Sequence, residues 1–406
     1  MRDEWGRLLA LLAAQHRRLD LAEDGLADAF EAAARTWPID GIPVNPPAWL
    51  LAVARRRILD RLRSEAVAAR RLPLLAVEAD LRERAQRVMV DAGEVVVDER
   101  LRLVLLCAHP RLSREAAAAL ALRLVLGVAT EDIARLFLVP HATMSARLTR
   151  ARARVAGERF EVPSGDALAA RVQTVADIAY LAFTAGYAPG SGPDAVRAEL
   201  AGEGIRLVRV LREVTTRAPT HAVDLDALLA LMLLQHARRD ARVRDGSPVL
   251  LPDQDRSRWR HDEIAEALAL LRPRLAGPPT PYLLQALIAA EHAVAPTAAD
   301  TAWDRVVAHY DELLALGESP VVRLNRAVAL AERDGPAAGL AALAGIALRG
   351  HRLPAVRAEL LGRAGEHAAA LESFDAAIAL CANDAERAHL ESRRAALAQG
   401  TGCSAS

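Results

Sequence analysis

The chain contains no lysine, so all 52 of its basic side chains are arginines. Aromatic residues are also scarce, at 3% of 406 residues, while alanine and leucine are abundant. Sheets favour aromatic and β-branched residues, whereas alanine and leucine are good helix formers, so the composition favours closely packed helices. Arginine suits the recognition of phosphates and bases, although a GC-rich genome would produce the same bias.

Other absences exclude whole classes of protein. The three cysteines (Cys107, Cys381 and Cys403) are far apart and form no CxxC, which indicates neither a zinc site nor a disulfide framework. No run of about 18 apolar residues predicts a membrane span, and the N-terminus lacks a signal-peptide pattern, so we expect a cytoplasmic protein without a membrane partner. Motifs of hydrolases, P-loop enzymes and dinucleotide-binding enzymes are missing, so we expect no enzyme activity, cofactor or metal.

The stretch 129–155 carries the clearest functional pattern. Thr130 is a good N-cap for a first helix, which Pro140 ends because proline lacks an N–H and clashes with the preceding turn. A second helix follows, with apolar residues on one face and arginines on the other. Two short helices around a tight turn are typical of a helix-turn-helix that places its second helix in the major groove. An ordinary helical hairpin with a solvated basic face is the alternative, and spacing alone does not choose.

A second basic element follows a proline-rich loop. The helix predicted from Trp49 to Arg63 carries five arginines against the single Asp60. Arginines bind the phosphates of single-stranded DNA, and an exposed loop with a tryptophan can capture or stack bases. A surface helix with Trp49 in the core is the alternative. Together with the arginines at 147–154, the pattern favours DNA binding.

The first 38 residues read as two helices, and the second has an acidic face. Asp24, Asp28 and Glu31 lie opposite an apolar stripe that includes Leu26 and Phe30. Acids at this spacing form either a solvated face or a surface for a partner.

Both basic elements resemble sigma factors of the extracytoplasmic-function group. Their region 4 typically reads close to EIA-x-x-L-G-I-S-x-G-T-V-K-S-R-L-x-R-A-R, and 132–134, 142–148 and 150–152 align with it without a gap. Their region 2 often reads W-L-x-x-I-A-R-N-x-A-I-D-x-L-R, which is similar to the helix from Trp49. Arg56 stands where the family usually has Asn, which bears on the −10 sequence preference.

The resemblance implies a transcription initiation factor whose partners are promoter DNA and RNA polymerase core, at its clamp helices and flap. It implies three sets of site residues. The polymerase-binding set is Asp24, Asp28 and Glu31. The set that reads and melts the −10 element is Asn45, Trp49, Arg55, Arg56, Arg57, Arg61 and Arg63. The −35 set is His141, Thr143, Met144, Arg147, Arg150, Arg152 and Arg154, in which we expect His141, Thr143 and Arg147 to contact bases and the last three arginines to hold phosphates.

The sequence thus predicts an all-α chain of four parts. These are sigma region 2 at 1–64, a charged linker at 65–93, sigma region 4 at 94–160, and a helical extension at 167–398. Segments at 180–187, 228–239 and 251–259 resemble the sigma-factor group that carries a large tetratricopeptide-like extension.

Two features of the extension invite functional interpretations. Gly365, Ala370, Phe374 and Ala377 have the spacing of a tetratricopeptide unit, and such repeats present surfaces to protein partners. The polar segment around Asp253, Asp255 and Arg256 is either a ligand, metal or partner contact, or a helix cap with a structural salt bridge. A DxD pair alone lacks the further ligands that a hard cation needs, which favours the second interpretation.

Two rival functions remain open on the sequence. One is a one-component helix-turn-helix regulator whose C-terminal domain senses a ligand or protein. The other is a helical-repeat scaffold whose arginines are merely solvated. Run-off transcription with core polymerase separates all three.

Overall fold

A computed structural model describes residues 2–16, 18–68, 92–137, 139–156, 158, 162–163, 165–187, 198–215, 224–244 and 246–402. The predicted all-α class is confirmed. Across the described ranges, the one sheet is a two-stranded antiparallel hairpin, in which Val243–Arg244 pairs with Ser247–Pro248. Most of the predicted linker 65–93 falls outside the described residues.

The described chain divides into two compact units. The first unit comprises 1–179 and 206–223, and the second comprises 180–205 and 224–406. Both predicted promoter-binding regions, 1–64 and 94–160, lie in the first unit. Helices of the first unit are α1 (Arg2–His16), α2 (Leu19–Asp40), α3 (Pro46–Ala68), α4 (Ala92–Cys107), α5 (Arg114–Leu124), α6 (Thr130–Leu136) and α7 (His141–Val155).

Helices α8 (Gly165–Tyr187) and α9 (Ala198–Thr215) contribute residues to both units. The second unit continues with α10 (Leu225–His236), α11 (His261–Leu271), α12 (Pro281–Val294), α13 (Trp303–Leu316), α14 (Pro320–Asp334), α15 (Pro336–Ala342), α16 (Arg352–Arg363), α17 (His367–Leu380) and α18 (Asp384–Gly402). Short 3₁₀ helices cover Arg239–Ala241, Leu251–Asp253, Arg256–Arg258 and Arg272–Arg274.

Small residues allow α2 and α3 to approach closely in the first unit. A Cβ on Gly25 would lie 2.7 Å from Cγ1 of Ile58, so only glycine fits there. Leucines of α1, α4 and α5 fill the rest of this core. Ser113 caps α5, since its side chain accepts a hydrogen bond from the backbone N–H of Ala116.

Some predicted helix boundaries are wrong. Helix α2 runs through Pro38 to Asp40, because a proline in the last turn removes a single hydrogen bond and Gly41, at φ 84°, ends the helix. The predicted helical extension 167–398 is interrupted after His236, where α10 ends and a short 3₁₀ helix and the hairpin follow. Thr130 is the first residue of α6 rather than its cap, a position that Ala129 holds.

In the second unit, helices that follow one another in the chain pack together through alanine-rich contacts. Leu324, Ala327 and Leu360 form one buried cluster, and Ala358, Phe374 and Ala377 form another. Alanine at these contacts lets neighbouring helices approach without leaving cavities. No helix in the described ranges is long and apolar enough to cross a bilayer.

Candidate nucleic-acid interface

Helix α7 is the predicted recognition helix, and its exposed face is basic. His141, Thr143 and Arg150 are exposed, Arg154 is exposed near the C-terminal end, and Arg147 is half-buried. Pro140 stands at the N-cap, so the first turn of α7 has its backbone N–H groups without a side-chain cap. Such a turn, with polar side chains around it, can contact phosphates or base edges.

The other face of α7 belongs to the core. Met144 is 0% exposed, and Leu148, Ala151 and Val155 follow it on the buried side. The prediction that Met144 contacts DNA is therefore wrong for this structure. It failed because Met144 starts the i, i+4, i+7 stripe that anchors the helix.

A buried carboxylate of α2 binds two arginines of the predicted region 4. Glu23, whose side chain is 6% exposed, accepts a hydrogen bond of 2.6 Å from Nε of Arg123. Its Oε2 lies 2.6 Å from a terminal nitrogen of Arg152. Arg123 also donates to the backbone oxygen of Val128, at 3.3 Å. Arg152 is thus held by an internal acid, whereas the sequence predicted a phosphate contact.

Helix α1 completes this contact between the two predicted regions. A Cβ on Gly6 would lie 2.1 Å from the backbone oxygen of Val125, so the two backbones nearly touch. Trp5 is buried against Gly127, whose φ of 67° suits glycine, and the Arg123 guanidinium lies 5.4 Å from the Trp5 ring. The predicted regions 2 and 4 are therefore packed together in the first unit.

Sequence reasoning missed Glu23, although a signal existed. Glu23 precedes Leu26 by three residues and Phe30 by seven, so it lies on the apolar stripe of α2 and not on the acidic face. An acid on a buried stripe needs a cationic partner, because an unpaired buried charge is costly.

The acidic face of α2 is partly neutralised by α3. Arg61 forms ion pairs with Asp24 and with Asp28, the latter at 3.2 Å. Glu31 lies 3.7 Å from Arg35, and these groups are largely solvated. One predicted −10 contact therefore pairs with two predicted polymerase contacts.

The remaining basic residues of α3 differ in accessibility. Arg56, Arg57 and Arg63 are exposed. Arg55 is half-buried and donates to Oε1 of Gln15 at 3.1 Å, and burial lowers its pKa. The exposed basic face of α3 is thus narrower than the five arginines suggested.

The loop before α3 combines polar capping with exposed apolar groups. Asn45 accepts a hydrogen bond of 3.1 Å from the backbone N–H of Ala48 and so starts the helix. Trp49 is half-buried, and its ring packs edge-on against Trp37 at 5.4 Å. Large apolar side chains stand in water nearby: Ile39 (84% exposed), Ile42 (72%) and Val44 (106%). None of the three was predicted as a functional residue, although the glycine and prolines around Ile42 and Val44 mark an exposed loop.

The polar segment of the second unit has structural contacts. Oδ1 of Asp255 accepts from the backbone N–H of Ser257 at 3.0 Å and from its hydroxyl at 2.6 Å, and these bonds lower the pKa of Asp255. Asp253 is exposed at the end of a 3₁₀ helix. Arg256 donates to the backbone oxygens of His292 and Ala295, at 2.6 and 2.8 Å. The two interpretations of this segment thus separate by residue: Asp255 caps, and Arg256 supports the fold while lining a cavity.

One group of metal-type ligands occurs among the described residues. Donor atoms of His351, Cys381 and Glu386 lie within 4.8 Å of one another. Nε2 of His351 is 3.0 Å from Oε2 of Glu386, and the Cys381 thiol donates to the backbone oxygen of Asn383 at 3.5 Å. Burial raises the pKa of the Cys381 thiol, which keeps it protonated. The polar atoms of this group are therefore engaged with one another and with the backbone.

Two family models match parts of the chain. Residues 3–67 match the family "Sigma-70 region 2", and residues 171–275 match a "Family of unknown function (DUF6596)". A relative from Rhizobium meliloti (strain 1021), an uncharacterized protein, is 40% identical over 386 residues, which cover 92% of this chain and 89% of the relative. No solved structure matches the chain.

Proposed function

Because this chain belongs to the same family as its Rhizobium meliloti relative and carries a sigma-70 region 2, we propose that it is a sigma factor of the extracytoplasmic-function group. It directs RNA polymerase core to promoters and initiates transcription by recognising the −10 and −35 elements. The match of residues 3–67 to sigma-70 region 2 carries the proposal. Catalysis belongs to the polymerase, and the protein acts in the cytoplasm, where the polymerase is.

The −35 element is read by α7. His141 and Thr143 in its first turn and Arg147 one turn later contact base edges, since guanidinium groups bind guanine bidentately in the major groove. Arg150 and Arg154 are exposed and hold phosphates. Arg152 is excluded from this role while it binds Glu23.

The −10 element is bound by the loop before α3 and by the exposed arginines of that helix. Ile39, Ile42 and Val44 offer apolar surface against which unpaired bases can pack, and Arg56 and Arg57 supply positive charge for the strand. Asp24, Asp28 and Glu31 contact the polymerase clamp helices, and Arg61 orients the two aspartates.

The C-terminal helices form a tetratricopeptide-like surface for a protein partner. Gly365, at φ 84°, makes the turn between α16 and α17, and Ala370, Phe374 and Ala377 are buried on the inner face of α17. These are the positions at which small residues and one aromatic let the two helices of a repeat approach.

Run-off transcription with purified core polymerase and the full chain tests the proposal. Arg147→Ala should weaken promoter binding by about 1–3 kcal/mol, with relaxed preference at one or two −35 positions. Arg154→Ala should weaken all sequences alike and reduce the salt slope by about one unit. Arg272→Ala, an exposed arginine of the second unit, is the matched control and should change neither.

Two outcomes would reject the proposal. Sequence-specific binding to duplex DNA without polymerase, and no transcription with it, would identify a one-component regulator. Equal effects of the three arginine substitutions would indicate that α7 does not read DNA.

A further inference from the structure

Three arginines lie close together in the second unit: Arg238 and Arg256 beside the ring of Trp259, and Arg242 over the ring of Tyr187. Arg238 and Arg242 both donate to Oε1 of Gln235, Arg242 at 2.8 Å. The guanidinium carbons of Arg238 and Arg256 lie 5.9 and 4.5 Å from the centre of the buried Trp259 ring. We refer to Arg238, Arg242 and Arg256 as the arginine cluster. All three side chains are half-buried, and burial lowers the pKa of each.

The arginine cluster has no carboxylate within 4.0 Å among the described residues, although its neighbours are paired. Arg239, next to Arg238 in the chain, binds Glu263 at 2.7 Å, and Arg260, next to Trp259, binds Asp240 at 2.6 Å. The available acids are thus used by adjacent arginines. Partly buried cations without a counterion are costly, and an external anion would remove that cost.

Arg242 has an unused donor at Nε and Arg256 has one at Nη2, and of the two only Arg256 lines a cavity. One terminal nitrogen binds the backbone oxygens of His292 and Ala295, and the other, Nη2, is buried without a hydrogen-bond partner. Asp300 is the acid that acts on Arg256 at longer range, but its carboxylate accepts from the backbone N–H and hydroxyl of Thr297. Arg256 therefore keeps one free donor, and no described carboxylate forms a direct ion pair with it.

A cavity of about 200 Å³ adjoins Arg256. Its wall combines aromatic and aliphatic groups with a few polar ones: Trp303, Tyr310, Val306, Ala329, Asn325 and Glu332. Glu332 is neutralised by an ion pair with Arg363, so the net charge at the wall is positive. A cavity of about 150 Å³ can hold benzene, so this one has room for a ring-sized apolar body.

We propose that this cavity binds a small organic carboxylate, with the carboxylate on Arg256 and its apolar body between Trp303, Tyr310 and Ala329. The Nη2 group of Arg256 donates a charge-assisted hydrogen bond to the ligand carboxylate. Arg238, which lies beside the same Trp259 ring, adds positive charge near the site. The mainly apolar wall favours an organic acid over a bare inorganic anion. The site is independent of the sigma-factor proposal, since none of its residues belongs to the predicted promoter-binding regions.

Calorimetric titration of the full chain with benzoate tests the site. Benzyl alcohol, which has the same shape without the charge, should bind at least tenfold more weakly, and inorganic phosphate should show the same deficit because it lacks the apolar body. Arg256→Gln should abolish benzoate binding. Because Arg256 also supports the fold, circular dichroism must accompany that variant.

A second pair of variants leaves Arg256 intact. Ala298→Leu adds volume at the cavity wall, where Ala298 is half-buried, and should weaken benzoate binding at least tenfold. Ala299→Leu, on the exposed neighbouring residue, should leave binding unchanged. No benzoate binding by the full chain, equal binding of benzyl alcohol, or equal effects of the two leucine variants would each overturn the proposal. Phosphate binding as tight as that of benzoate would reduce the site to an anion contact and would also overturn it.

Discussion

In the first unit two arginines converge on one buried carboxylate, whereas in the second unit three converge without one among the described residues. Glu23 binds Arg123 and Arg152 and so connects α2 to α5 and α7. Arg238, Arg242 and Arg256 share only neutral partners. Arginines that share an internal carboxylate stabilise the fold, whereas arginines without one can still bind an external anion. The same residue type therefore has opposite roles in the two units.

The largest expected effect on stability comes from removing the negative charge of Glu23. Glu23→Gln should destabilise the first unit by about 3 kcal/mol, because two cations lose their common partner. The effect stays near the low end of the range for buried pairs because the side chains of Arg123 and Arg152 are 19% and 26% exposed and can regain water. Chemical denaturation measures it. Glu31→Gln, on the exposed face of α2, is the control and should change the free energy of unfolding by less than about 1 kcal/mol.

The second prediction concerns the pH dependence of stability at His292, which lies beside the arginine cluster. Burial and the nearby arginines lower the pKa of His292 to about 4, against 6.5 in the unfolded chain. Between these values the unfolded state binds the proton and the folded state does not, so stability is complete above pH 6.5 and falls as the pH drops towards 4. At pH 5 this should remove about 1–2 kcal/mol.

Denaturation of His292→Gln at pH 7 and pH 5 isolates that contribution. The variant should lose less stability between the two pH values than the wild-type chain does. His367→Gln, at an exposed histidine, should behave like the wild type. A variant with the same pH dependence as wild type would contradict the assignment.

A third prediction concerns the sign of the stability change that a substitution in the arginine cluster causes. Arg238→Met should raise stability by about 1 kcal/mol, because the apolar stem still packs while an uncompensated charge is removed. Arg239→Met, one residue along, should lower stability, since Glu263 would lose its partner. The unfolding temperatures of both variants, compared with that of the wild-type chain, test this prediction. A destabilising Arg238→Met would show that the cluster is satisfied without an external anion.

The smallest effect is expected on the exposed ion pairs of α2. Arg61→Met should change the free energy of unfolding by less than about 1 kcal/mol, because Asp24 and Arg61 are well solvated. In the polymerase-binding assay the same variant should alter association, since Asp24 and Asp28 lose their orienting partner. A loss of several kcal/mol in stability would instead assign a structural role to this pair.

Periodicity and end signals determined the fold class and most of the helices. The apolar stripe that includes Leu26 predicted a core-facing α2, and Pro140 predicted the break between α6 and α7. These features depend on contacts within one or two turns, which neighbouring residues fix by themselves. The exposed positions of His141, Thr143 and Arg150 follow from the same periodicity.

Partner choice among distant charges was decided by the tertiary structure alone. The sequence placed Arg152 with the phosphate-binding residues and gave no role to Glu23, yet 129 positions separate these two hydrogen-bonded side chains. Local pattern also made Arg256 a candidate for a structural salt bridge, whereas its contacts are backbone oxygens and a cavity. Ion pairing depends on distances of a few ångströms between elements far apart in the chain. Helical periodicity therefore fixes which face a charge lies on, and only the packing of the helices decides which opposite charge, if any, it meets.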